Sequence, residues 1–196
     1  REAVGKRIPL VQVSYPVYPV HKLLPPLAGV PGKAEALRAT FALAGQLGSA
    51  ACTLIDVNVR GIRPEWVDVL VRPVLEHGFD FVAPRYQRHP FEGTIISGIV
   101  FPLVRALYGK RIRQPVGGDQ AYSARFIEHC TTEGWDGETS LGTDLRLTLT
   151  AIAGEFRICQ ASLGERVVQA GDAQPDVSAV LAHVLGPLFE TVDNTV

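Results

Sequence analysis

Ala51-Cys-Thr-Leu-Ile-Asp-Val-Asn58 (ACTLIDVN) is the stretch on which the fold turns. A short apolar run, Ala51 to Ile55, stops on an acid, Asp56. Such a run, too short for a helix, reads as a strand. Ligands of open α/β sheets bind outside the carboxyl ends of the strands, so Asp56 is expected at the ligand edge. Asp56 and Asn58 stand at i and i+2 and share one face of an extended segment. An acid there can hold a divalent ion, and that ion can neutralise a diphosphate leaving group. Asn58 offers a neutral oxygen where a second carboxylate would bind more strongly. Asp-x-Asn after a strand also reads as an ordinary turn.

On both sides of this strand the pattern becomes helical. Lys33 to Leu47 is rich in Ala and Leu, with Leu37, Phe41 and Ala44 at helical spacing. Pro64 can open the next helix, with Trp66, Leu70 and Val74 on one face, and the interior Pro73 is expected to kink or end it. Further out, strands are expected at Ile8–Ser14, Phe79–Ala83 and Phe156–Ala161. Helices are expected from Pro102 to Tyr108, Thr143 to Ile152 and Pro175 to Phe189, with a turn at Gly117-Gly-Asp119. Strands alternating with helices argue an α/β domain with a largely parallel sheet. No repeat or domain boundary interrupts residues 1–196, which read as one domain. Only one strand precedes the Lys33 helix, so a first βα unit is expected to be missing.

Composition narrows the function. Lys and Arg number 19 and Asp and Glu 20, for a net charge of −1. Nothing therefore draws the whole chain to nucleic acid or an anionic bilayer, and any anion site must be a local cluster. The apolar run Ile95–Val104 is too short to span a membrane. Cys52, Cys130 and Cys159 are odd in number and far apart, which suits reduced thiols and a cytoplasmic location.

Local clusters do exist. Lys33 opens a helix, where free N–H groups and the helix dipole favour a phosphate. Arg85 and Arg88 lie beyond the third strand, and Lys110, Arg111 and Arg113 follow a helix; arginine forks suit a carboxylate or phosphate. Gly118 before Asp119 lets backbone approach a ligand closely beside one carboxylate. Asp144 can act as a base or orient a sugar hydroxyl. Each also has a bland reading: a solvated lysine, a basic surface face, a turn or a cap.

Taken in order, the segments Pro31-Gly-Lys-Ala-Glu-Ala-Leu-Arg38, Leu54-Ile-Asp-Val-Asn58 and Pro64-Glu-Trp66 resemble one family. So do Arg85-Tyr-Gln-Arg-His89, Glu92-Gly-Thr94, Pro102-Leu-Val-Arg-Ala-Leu-Tyr-Gly109 and Arg113-Gln-Pro-Val-Gly-Gly-Asp119. Gly142-Thr-Asp144, Arg157-Ile-Cys-Gln160 and Leu163-Gly164 continue the likeness. The family is that of the retaining GT-A glycosyltransferases, which includes glucosyl-3-phosphoglycerate synthase and mannosylglycerate synthase.

The resemblance implies a GT-A fold, a nucleotide-diphosphate-sugar donor, Mg²⁺ or Mn²⁺, and hexose transfer to a small anionic acceptor such as glycerate or phosphoglycerate. It is compatible with a homodimer. By position it implies Lys33, Asp56 and Gly118 for the donor, and Asp56 with Asn58 for the metal. It further implies Arg85, Arg88, Gly93 and Thr94 for the acceptor, and Asp119 with Asp144 as catalytic carboxylates. Two departures stand out. The second metal carboxylate is Asn58, and Leu163-Gly-Glu-Arg-Val-Val-Gln169 has no histidine where family members place a metal ligand. They favour a second expectation, a non-catalytic relative that keeps the fold for binding or assembly. A nucleotidyltransferase on a similar sheet would need an early glycine-rich phosphate loop, which the sequence does not show.

Overall fold

The computed structural model describes residues 33–56, 59–87, 93–133 and 140–168, together with 178, 181, 182, 185, 186, 188 and 189. The expected strand at Ile8–Ser14 and most of the expected helix at Pro175–Phe189 lie outside them.

The chain runs α1 (Lys33–Gln46), β1 (Ala51–Leu54), β2 (Val59–Arg60), α2 (Glu65–His77), β3 (Phe81–Gln87) and α3 (Phe101–Tyr108). It continues β4 (Gln120–Ser123), α4 (Ala124–Glu133), α5 (Ser140–Ala153), β5 (Ile158–Glu165) and β6 (Val167–Val168). The main sheet has the order β1-β4-β3-β5. β1, β3 and β5 point one way, and β4 runs against both β1 and β3. The sheet is thus mostly parallel in strand direction, although its central strand makes antiparallel pairs. Both β4 and α4 were missed by the pattern of residues 117–133, because Gln120–Ser123 is short and carries buried polar Gln120 in place of an apolar run.

Helices cover both faces of the sheet. Trp66, Leu70 and Val74 of α2 pack with Val82, Tyr86, Ala121, Ala161 and Leu163 on one face. On the other, α1, α4 and α5 close over Phe81, Ala83 and Tyr122. There the rings of Phe41, Phe81, Tyr122, Phe126 and Phe156 form a continuous set of edge and stacked contacts. Such pairs add specificity of geometry to the burial of large apolar area.

Of the two outcomes expected at Pro73, a kink or an end, the helix does not end there: α2 runs on to His77. The hydrogen bond that Pro73 cannot make would go to the carbonyl of Val69, an exposed residue. The helix at Pro102 is preceded by a π-helical turn over Ile96–Val100, so the helical stretch starts earlier than its proline suggests.

Buried Asp80 ties the strands together at the end opposite the ligand edge. Its carboxylate accepts from Ser123 Oγ at 2.9 Å, from the Arg157 N–H at 3.0 Å and from Arg125 at 3.2 Å. These partners come from the end of β4, the start of α4 and the lead into β5, so one side chain aligns three segments. All three cysteines are free thiols, and burial pushes Cys159 up to about 11 and Cys52 upward. No helix among the described residues is long and apolar enough to cross a membrane.

Candidate active site

β1, β3 and β5 end, and β4 begins, at one edge of the sheet. Asp56 stands just past the end of β1 and Asp119 just before the start of β4. The Asp56 N–H donates to Asp119 Oδ1 at 2.8 Å. The Tyr86 hydroxyl, from the last turn of the pleat in β3, donates to Asp119 Oδ2. Asp119 is fully buried and both of its oxygens are hydrogen-bonded. In this arrangement its carboxylate holds the Asp56 backbone and the Tyr86 hydroxyl.

The loop before Asp119 is held from two sides. Gln114 pairs with the backbone of Tyr86 in both directions, at 3.1 and 3.2 Å. Thr148 of α5 donates to the Pro115 carbonyl at 2.7 Å. The two glycines follow because there is no room for side chains. A Cβ on Gly117 would fall 2.5 Å from Pro84 Cγ, and one on Gly118 would fall 3.0 Å from Asp56 Cβ and 3.1 Å from its carboxylate. The Gly-Gly-Asp turn is therefore a close backbone approach to Asp56.

From the other side comes Arg166. β3 and β5 pair in regular parallel register up to Arg85↔Ser162, and then Tyr86 faces Gly164. The extra residue is a bulge in β5, and Gly164 sits in the left-handed region at φ 76°. The bulge redirects the chain so that Arg166 lies over the Tyr86 ring, 5.1 Å from its centroid. One guanidinium nitrogen is 3.4 Å from Asp56 Oδ2. The Arg166 side chain is 18% exposed, and its buried Nε has no hydrogen-bond partner.

Lys33, at the start of α1, is joined to Asp144 of α5 at 2.6 Å. Burial raises the Asp144 carboxyl above its ordinary range. The Lys33 ammonium opposes the rise, Asp56 adds to it, and Arg166 lowers it. Lys33–Asp144 and Asp56–Arg166 therefore act on one another as parts of one charged cluster. Stability should follow from the sign of the Asp144 shift. The folded chain holds this proton to higher pH than the unfolded chain, whose carboxyl titrates near 3.8. The contribution is fully present below that value and is lost as pH rises through the folded value. Urea denaturation across this window should show a falling stability that is flatter in Asp144→Asn; identical slopes would contradict it.

Other expected site residues are less connected. Arg85 is exposed near the end of β3, on the strand face opposite Tyr86. Gly93, at φ 66°, and exposed Thr94 open the helical stretch that leads to α3, and the Gly93 carbonyl accepts from the Ser97 N–H at 2.9 Å. Asn58 and Arg88 lie outside the described residues. Tyr86 and Arg166 were not singled out from sequence. Tyr86 sits inside the quoted Arg85–His89 segment, where strand alternation offered a signal. Arg166 follows the Leu163-Gly164 step, where the search was for a histidine.

A resident divalent ion finds little to hold it among the described residues. Asp56 faces a guanidinium, both Asp119 oxygens are hydrogen-bonded, and Asp144 is paired with Lys33. No three His, Cys, Asp or Glu side chains converge among them. β6 pairs with β2 so that Val168 is opposite Val59. Among the described residues, then, no set of side chains is left over to hold a resident metal ion, and Asn58 lies outside them.

No protein-family model matches the chain, and no curated protein does. Solved structures do. Glucosyl-3-phosphoglycerate synthase from Mycobacterium tuberculosis, in complex with Mn²⁺, UDP-glucose and phosphoglyceric acid, superposes with a TM-score of 0.66 at 22% identity, over 88% of this chain and 58% of that one. The same enzyme with Mn²⁺, UDP-glucose and glycerol 3-phosphate gives a TM-score of 0.62 at 20% identity, over 87% and 57%. A structure described as a mycobacterial protein gives 0.62 at 24%, over 84% and 54%. The chain has the GT-A fold of these neighbours and spans less than two thirds of the length of each.

Proposed function

We propose that this chain is the catalytic part of a glycosyltransferase that moves a hexose from a nucleotide-diphosphate sugar to a small acidic acceptor, glycerate or phosphoglycerate. The observation that carries this reading is the convergence of Lys33, Asp56, Asp144 and Arg166 in one cluster at the carboxyl edge of a GT-A sheet. The fold's neighbours supply the ligand chemistry by analogy, since one is described with UDP-glucose and phosphoglyceric acid together.

In the proposed reaction the bond from the anomeric carbon to the diphosphate breaks, and an acceptor hydroxyl oxygen takes its place. The leaving diphosphate gains negative charge, and fixed cations beside it stabilise that charge without reorganisation. Lys33 and Arg166 are those cations. Each is held by a carboxylate that can release it towards phosphate oxygens. Gly118 lets the chain approach the donor, and Asp119 keeps the edge rigid. Arg85, with Arg88, Gly93 and Thr94, is assigned to the acid group of the acceptor. Retention of anomeric configuration belongs to the same proposal.

The test is incubation of the full-length protein with UDP-glucose or GDP-mannose and 3-phosphoglycerate or glycerate, with product identified by mass spectrometry. Acceptor-dependent release of nucleoside diphosphate with a new glycosyl acid is the expected result. Absence of nucleotide-sugar binding would overturn it. A second reading, a binding or assembly domain, is favoured by Asn58 and by the apolar Val168. Nucleotide-sugar binding with neither transfer nor hydrolysis would select it.

A further inference from the structure

We propose that in this chain the guanidinium of Arg166 takes the place of a divalent cation beside Asp56, so that the donor diphosphate binds without added metal. The inference rests on the donor reading above and concerns how that same site handles charge.

Three observations point to it. The first is position. Arg166 is delivered by the Gly164 bulge to Asp56 Oδ2, at 3.4 Å. The second is unmet hydrogen-bonding capacity. A guanidinium offers five N–H donors in a planar fork. Here the buried Nε has no partner, and the contact to Asp56 is longer than a charge-assisted hydrogen bond prefers. Two oxygens of a diphosphate would satisfy that fork. The third is the donor set. Asn58 offers a neutral oxygen where a second carboxylate would bind a cation more strongly, and no three His, Cys, Asp or Glu side chains converge among the described residues.

Arg166 is also supported from below. Its guanidinium lies over the Tyr86 ring, and the Tyr86 hydroxyl is bonded to Asp119. A cation stacked on an aromatic face and partly desolvated keeps its charge, because arginine does not give up its proton. Asp144 and Lys33 flank the same charges. Diphosphate entering between Arg166 and Lys33 would draw each away from its carboxylate. The Asp56 and Asp144 carboxylates then remain to balance the two cations when the site empties.

The experiment is titration calorimetry of the full-length protein with UDP and with GDP, each once in EDTA and once in Mn²⁺. The expected result is binding in EDTA within about threefold of that in Mn²⁺, less than one charge-assisted contact would contribute. Arg166→Gln should weaken binding in EDTA by about tenfold to a hundredfold, the loss of such a contact, and Arg166→Lys should recover part of it. Asn58→Asp combined with Val168→His should make Mn²⁺ strengthen binding. Circular dichroism checks that each variant is folded, and the comparison on the unmodified protein needs no variant. Binding that appears only with Mn²⁺ would overturn the role of Arg166 and leave the donor reading standing. No binding of UDP or of GDP in either buffer would overturn both.

Discussion

Replacing Phe126 with alanine is expected to cost about 3–5 kcal/mol of folding stability, the range for a buried aromatic ring. Phe126 is fully buried where both halves of the aromatic set meet. It stacks on Tyr122 at 5.5 Å and 9°, and meets Phe81 at 5.5 Å and Phe156 at 5.1 Å edge-on. Those three rings come from β4, β3 and the turn before β5. Truncation removes the ring's own burial and leaves a cavity that none of the three can fill without leaving its strand position. A domain of ordinary stability, about 5–15 kcal/mol, would lose a large share of it. Urea denaturation gives the measurement, with Phe189→Ala as the comparison. Phe189 is 52% exposed, and its truncation should cost under about 1 kcal/mol. If both substitutions cost the same, the ring set is not the packed centre of the domain.

The second large effect is expected at Asp119. Asp119→Ala leaves the Asp56 N–H and the Tyr86 hydroxyl without their acceptor, and an unsatisfied buried group costs about 1–3 kcal/mol. The consequence for the site should exceed the consequence for the fold. Asp56 loses the bond that fixes its backbone, and Tyr86 loses the bond that holds its ring under Arg166. Donor binding, read as UDP affinity under conditions where the variant is folded, should fall about a hundredfold if two charge-assisted contacts are lost together. Tyr86→Phe removes only the hydroxyl and keeps the ring, so its loss should be smaller. A fully folded Asp119→Ala with unchanged UDP affinity would show that Asp56 and Arg166 hold their places without it.

These two residues differ in how visible they were. Phe126 belongs to a helix whose sequence, Ala124 to Glu133, mixes apolar and polar residues and was not read as a helix. Its burial follows from α4 packing against α1, a segment far away in sequence. Asp119 was visible as an acid after two glycines. Nothing local told a carboxylate that meets substrate from one whose oxygens are both hydrogen-bonded inside the protein. That distinction depends on Tyr86 and on the Asp56 backbone, 33 and 63 residues away.

What the sequence by itself determined was local. Apolar runs and helical spacing located α1, β1, the start of α2 and the body of α5, because burial on one face writes its period into the chain. The stop of an apolar run on Asp56 placed that acid at the carboxyl edge of the sheet, since strand ends are punctuated by the residues that leave the sheet. The ordered motifs carried the likeness to GT-A enzymes. The tertiary structure alone decided which charges meet. Lys33 and Asp144 are 111 residues apart and Arg166 and Asp56 are 110 apart, yet each pair is in contact. The order β1-β4-β3-β5, with β4 reversed at its centre, brings the edge together, and the bulge at Gly164 turns Arg166 into it. Ion pairing depends on distances of a few ångströms between side chains, and no one-dimensional period encodes a distance set by the crossing of four strands.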